Sequence, residues 1–147
     1  MSLRVVTRRK FLKGVGMALG GAVLTLSDTG CVASSAPVVL ADVESNRIRI
    51  DTNRSELVNV GDGIQLYAEE LEYPILLIKV TERRFVALST ACMHLGCTVK
   101  KQPSVIRCAC HGSVYDLEGK VLNGPSELPL LEYAVQLNGT IAEIQLQ

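Results

Sequence analysis

The chain of 147 residues has no tryptophan, two phenylalanines, four tyrosines and two histidines. With aromatics so scarce, any core must be built from aliphatic side chains. There is no surplus of charge of either sign, since fifteen basic residues face fifteen acidic ones. Five of the basic residues (Arg4, Arg8, Arg9, Lys10 and Lys13) but only one acid, Asp28, precede Cys31, leaving ten basic and fourteen acidic residues beyond it. That mildly acidic body lacks the basic stripe a nucleic-acid footprint requires, which excludes nucleic acid as a partner. Internal repeats, coiled-coil heptads and low-complexity tracts are missing too. The length suits one domain with a short appendage, enough to bury an adequate core.

Long hydrophobic runs are also missing. The longest, Gly14–Leu26, is GVGMALGGAVLTL, thirteen residues, short of the roughly 20 that span hydrocarbon. It follows the basic stretch TRRKFLK at Thr7–Lys13. A basic segment ahead of a short apolar run has the form of an export signal rather than of a core helix. The paired arginines resemble the twin-arginine type, which implies export of an already folded cargo. Three fates for the signal stay open. It acts as an uncleaved anchor helix, it is lipidated at Cys31 in the box LSDTGC, or it is removed near Val39-Leu40-Ala41. Residues 1–41 are thus expected to be signal or membrane anchor plus linker, and 42–147 the working domain.

From Ser45 onward no segment keeps a helical period. Short β-branched and aliphatic runs recur about every ten residues, the spacing of an all-β sandwich or barrel. The runs are Arg47–Asp51, Ile64–Tyr67, Ile75–Val80, Phe85–Ser89, Val105–Cys108, Val114–Asp116, Tyr133–Leu137 and Thr140–Leu146. Asn138-Gly139 predicts the turn of a terminal hairpin, and Leu117–Lys120 a tight turn. Ala68–Leu71 alone has a helical leaning. The body is expected to be antiparallel β.

Four of the five cysteines and both histidines fall in two short segments, CMHLGC at Cys92–Cys97 and CACHGS at Cys108–Ser113. Each follows a predicted strand and so forms a loop at one end of a sheet. Four structural disulfide cysteines would leave the histidines unexplained, and four thiolate ligands would make them surplus to a four-coordinate site. The economical partition is two Cys and two His as ligands, with two cysteines left as a bridge.

These segments resemble the two cluster-binding loops of Rieske iron–sulfur proteins, C-x-H-x-G-C and C-x-C-H-G-S, over roughly residues 90–130. The resemblance implies an antiparallel β fold with a small cluster-binding subdomain of loops at one end, about 90–130, and one [2Fe–2S] cluster. It places Cys92 and Cys108 on one iron and His94 and His111 on the other. It makes Cys97 and Cys110 a loop–loop disulfide, against the plainer reading of two small buried apolar residues. Ser113 and Tyr115 become hydroxyl donors to the cluster's sulfurs, which stabilise the more negative reduced state and raise the potential. Plain turn chemistry and strand packing are the ordinary alternatives for them. Gly96 and Gly112 are expected to allow close approach or positive φ. GPSELPL, opening at Gly124-Pro125, is similar to the proline-rich loop that covers the cluster. Ala109, Met93 and Glu127 depart from the residues usual at their places.

The function implied is an electron-transfer subunit of a quinol-oxidising cytochrome bc-type complex, passing electrons from quinol to a c-type cytochrome. Its partners would be cytochrome b-type and c-type subunits, with quinol at the face of His111 and His94. The implied location is periplasmic, on the outer face of the cytoplasmic membrane. A Rieske small subunit of an exported molybdenum oxidase, such as arsenite oxidase, is the alternative. A structural zinc module is more remote, because zinc knuckles use C-x-x-C and leave the Gly-Ser-x-Tyr run unexplained. A ring-hydroxylating ferredoxin generally lacks the two bridging cysteines.

Overall fold

The computed structural model describes residues 36–147. The expected signal or anchor helix and Cys31 lie outside the described residues.

Alternation decides the architecture. In β3 (Arg47–Asp51) Ile48 and Ile50 point inward between exposed Arg47, Arg49 and Asp51. In β12 (Ile141–Gln145) Ala142 and Ile144 do the same. Such period-two patterns make strands with one buried face. β5 (Ile75–Thr81) and β6 (Arg84–Ser89) differ, being buried on both faces, as near-continuous apolar runs require. Ile75, Leu77, Phe85 and Ala87 face one core, together with Ile48, Ile64, Leu66 and Ile144. Leu76, Ile78, Val86 and Leu88 face a second, which holds Cys92, Val99, Ile106, Cys108, Tyr115 and Leu130. β5 and β6 are the wall between the two cores, and the candidate site stands on the far side of it.

The first core is enclosed by an eight-stranded sheet. It comprises these strands with β1 (Val38–Leu40), β2 (Val43–Glu44), β4 (Gly63–Tyr67) and β11 (Glu132–Asn138), in the order β1-β4-β5-β6-β11-β12-β3-β2. Val39 beside one edge and Val43 at the other pack on the same core, so the sheet curls round it. The second core is covered by a four-stranded antiparallel sheet, β10-β9-β8-β7, built from β7 (Val99–Lys101), β8 (Ile106–Cys108), β9 (Val114–Tyr115) and β10 (Val121–Asn123). This small sheet comes between β6 and β11, which are neighbours in the large one.

All eight expected runs overlap strands. β8 starts at Ile106 rather than Val105, and β9 ends at Tyr115 rather than Asp116. β1, β2, β7 and β10 are additional, too short to show a pattern. The body is not wholly antiparallel, because β1 runs parallel to β4. Ala68–Leu71 is a turn, closed by Leu71 N donating to the Ala68 carbonyl at 3.2 Å, and the only helical element among the described residues is a 3-10 turn at Ser55–Leu57. The terminal hairpin is present, but its two loop residues are Gly139 and Thr140, with Asn138 paired to Ile141. Only Gly139 has positive φ, 64°; a glycine first in the loop matches a II′ turn rather than the Asn-Gly form.

Candidate metal centre

The two cysteine–histidine loops are built on one frame. In the first, the Cys92 carbonyl accepts from Gly96 N at 2.8 Å, and Cys92 N donates to the Cys97 carbonyl at 2.9 Å. In the second, the Cys108 carbonyl accepts from Gly112 N at 3.1 Å, and Cys108 N donates to the Ser113 carbonyl at 2.9 Å. Gly96 and Gly112 occupy equivalent places with φ of 73° and 83°, a conformation that costs other residues a Cβ clash. Each turn brings its leading cysteine to the strand end, where Cys92 and Cys108 are 2% and 1% exposed.

Both leading cysteines are free thiols. Cys97 and Cys110 form a disulfide, Cα–Cα 6.5 Å, joining the loops. The sulfurs of Cys97, Cys108 and Cys110 lie within 4.8 Å of one another, but two of them are spent in the disulfide and offer no thiolate. That trio is therefore a thiol beside a bridge, not a three-cysteine site.

The loops bring the imidazoles together as well. His94 and His111 meet edge to face, ring centroids 4.9 Å apart; His94 is half-buried and His111 exposed. His94 Nδ1 is buried with no hydrogen-bond partner among the described residues. An imidazole nitrogen left so is costly unless something coordinates it.

Donors converge on the thiols. The Tyr115 hydroxyl lies 3.3 Å from Cys92 Sγ, and Tyr115 is wholly buried in the second core. Burial pushes the Cys92 thiol up. The hydrogen bonds of Tyr115, the His94 backbone, Cys108 and Ser113 outweigh it, so the thiol sits below its ordinary value. Burial dominates at Cys108 and raises it, against the opposing backbone N–H groups of Cys110 and His111. Burial first, then the Cys92 contact, raises the Tyr115 phenol.

Ser113 is also fully buried, and its Oγ accepts from Ser126 N at 3.0 Å. That bond leaves the hydroxyl proton free to be donated elsewhere. Ser126 belongs to the proline-rich segment, whose Gly124–Pro125 peptide is cis. Leu130 fixes the far end of the segment, buried in the second core with its N–H on the Gly119 carbonyl at 2.9 Å. Ser126 is a site residue the sequence reading passed over, since a serine in a loop carries no signal by itself.

Cys92, His94, Cys108, His111, Ser113, Tyr115, Cys97 and Cys110 are thus gathered at one end of the second core. Two buried thiols, two imidazoles with an orphaned nitrogen, and hydroxyl and amide donors aimed at sulfur form a donor set that fits a mixed thiolate–imidazole iron–sulfur cluster.

Comparison with known proteins points the same way. The family described as Rieske [2Fe-2S] domain matches residues 51–134, which makes a [2Fe–2S] cluster the cofactor of this fold unit. The cytochrome b6-f complex iron-sulfur subunit of Chlorobaculum tepidum is 43% identical over 53 residues, 35% of this chain and 29% of that protein. The subunit of the same name from Synechococcus elongatus is 36% identical over 75 residues, 49% of this chain and 42% of that protein. The matched stretch spans less than half of either relative. A structure titled Hyperthermophilic respiratory Complex III shares the fold, with a TM-score of 0.52 and 24% identity, covering 64% of this chain and 71% of its own.

Proposed function

The chain belongs to the Rieske [2Fe-2S] domain family, and from that premise we propose that it is the iron–sulfur subunit of a quinol-oxidising cytochrome bc-type complex. The observation that carries this reading is the Tyr115 hydroxyl at 3.3 Å from Cys92 Sγ, with Ser113 buried beside it. Donors placed on sulfur raise a cluster's potential, as oxidation of a quinol requires. The relatives it matches include cytochrome b6-f complex iron-sulfur subunits.

Cys92 and Cys108 would hold one iron, and His94 and His111 the other. When bound, the [2Fe–2S] cluster supplies one-electron redox chemistry. The remaining roles belong to the protein. The Cys97–Cys110 bridge ties together the outer parts of two loops whose bases are already joined by the β7–β8 pairing, Val99 opposite Cys108. The proline-rich segment covers Ser113 and excludes water from the donors. His111, exposed, presents its outer nitrogen to the quinol, with His94 against it. Around them Met93, Leu95 and Leu128 stand exposed, an apolar rim suited to a cytochrome b surface. The c-type cytochrome is the electron's next station. Export by the twin-arginine route and attachment through residues 1–41 or Cys31 would put this surface on the periplasmic side. Nothing in the site favours the molybdenum-oxidase alternative.

Redox titration of the loaded protein, followed by electron paramagnetic resonance, tests the proposal. We expect a Rieske-type signal with a midpoint at or above that of the quinone pool, and co-purification with b- and c-type haem from detergent-solubilised membranes. A midpoint well below the quinone pool, or co-purification with a molybdenum protein, refutes it. His111→Ala is expected to abolish the signal; its survival would overturn the ligand set.

A further inference from the structure

The two loops share a hydrogen-bonded frame but not its surroundings. At Gly112 an added Cβ would meet nothing within 4 Å. At Gly96, the equivalent place in the first loop, it would come within 3.3 Å of the Tyr73 hydroxyl oxygen. Tyr73 belongs to neither loop. It lies in the segment leading into β5, on the wall between the cores. The next residue, Pro74, is tied to the root of the same loop, its carbonyl accepting from Thr90 N at 3.0 Å and Thr90 Oγ1 at 2.9 Å. Thr90 is wholly buried, and its own carbonyl accepts from Val99 N at 2.8 Å, beyond the far end of the loop. One dipeptide therefore reaches the first loop at two places, bonding its base through Pro74 and placing the Tyr73 hydroxyl beside its turn.

Between its buried Cys92 and the disulfide at Cys97, the loop has little else to hold it. Met93 and Leu95 point outward, 41% and 68% exposed, so neither anchors it. The second loop has a different brace, the bond from Ser126 to Ser113.

We infer that Tyr73 is a positioning residue for the first loop, its half-buried side chain standing over Gly96 and fixing the turn that carries His94. It acts through Gly96. Its importance for the cluster rests on the assignment of Cys92 and His94 as ligands, but its effect on the loop does not.

Full-length chain carrying Tyr73→Ala or Tyr73→Phe tests this by amide hydrogen exchange in the cluster-free protein. Tyr73→Ala should speed exchange at the Gly96 and Cys92 amides about tenfold, as local opening of a segment stripped of its packing does, while β5 and β6 amides stay as they are. Tyr73→Phe, which keeps the ring but removes the hydroxyl that stands against Gly96, should speed exchange there part of the way. In the loaded protein both variants should shift the Rieske-type resonance, Tyr73→Ala by more than Tyr73→Phe. Unchanged exchange at Gly96 in Tyr73→Ala overturns the inference, as does acceleration spread equally over β5 and β6. If the alanine variant does not fold, Tyr73→Leu is read by the same criteria. Because exchange is measured without cluster, a wrong ligand set would leave this result standing, and a failure here would leave the proposed function standing.

Discussion

Replacing Tyr115 by phenylalanine isolates one oxygen atom. The ring fills the second core, where Tyr115 has no exposed surface, so phenylalanine keeps the packing and loses only the hydroxyl 3.3 Å from Cys92 Sγ. A hydrogen bond to a charged acceptor is worth about 1.5–3 kcal/mol. The bond exists in both redox states, so the potential registers only its strengthening when the cluster gains an electron. Taking a third to a half of the bond gives ~0.5–1.5 kcal/mol, and at 59 mV per tenfold for a one-electron couple this is a fall of about 20–60 mV. The sign is fixed, because a lost donor destabilises the more negative, reduced state. Film voltammetry at fixed pH measures the shift, with paramagnetic resonance confirming that the cluster is intact. An unchanged or raised midpoint in a fully loaded variant would refute the claim that this hydroxyl donates to a cluster-bonded sulfur.

Ser113→Ala should lower the midpoint as well and also loosen the covering segment. It leaves Ser126 N–H buried without an acceptor, at about 1–3 kcal/mol; a melting temperature equal to the parent's would contradict this. Changing Cys97 and Cys110 together to serine removes a bridge across a sequence separation of 13, worth about 3 kcal/mol by loop-closure entropy. Denaturant titration of the cluster-free protein checks it, and iron should be lost faster from the loaded variant. Gly63→Ala puts a methyl 3.0 Å from the Leu77 carbonyl oxygen and 3.1 Å from the Ile78 side chain. The overpacking should destabilise the sheet by about 1–3 kcal/mol without moving the resonance signal, as denaturation and spectroscopy on one sample would show.

The site was legible because its chemistry is local in sequence. Two six-residue segments carry the sulfur and nitrogen donors, and two glycines mark where their turns reverse. The strands around the first core were legible where alternation lasted, as in Arg47–Asp51. It failed for β1, β2, β7 and β10, two or three residues each, which the large and small sheets define only by pairing. The parallel pairing of β1 with β4 had no local sign at all. Asn138-Gly139 named the right hairpin with the turn one residue early, because the register of β11 on β12 set the loop. Tyr73 and Ser126 were invisible for a related reason. Their partners, Gly96 and Ser113, are remote in sequence, and only the folded wall of β5 and β6 and the returning chain bring them close.

The small sheet leaves the large one after β6 and returns at β11, and the seam between them closes at once, with Ser89 N on the Leu131 carbonyl at 2.8 Å and Leu88 opposite Glu132. An insertion whose two ends lie on adjacent strands imposes no register on its host. Its outer loops can change without disturbing that seam, but its inner face cannot, because Leu76, Ile78, Val86 and Leu88 of β5 and β6 share a core with Ile106, Tyr115 and Leu130. The redox unit is a graft with a fixed seat: a host sheet must offer both two neighbouring strand ends and an apolar outer face beside them.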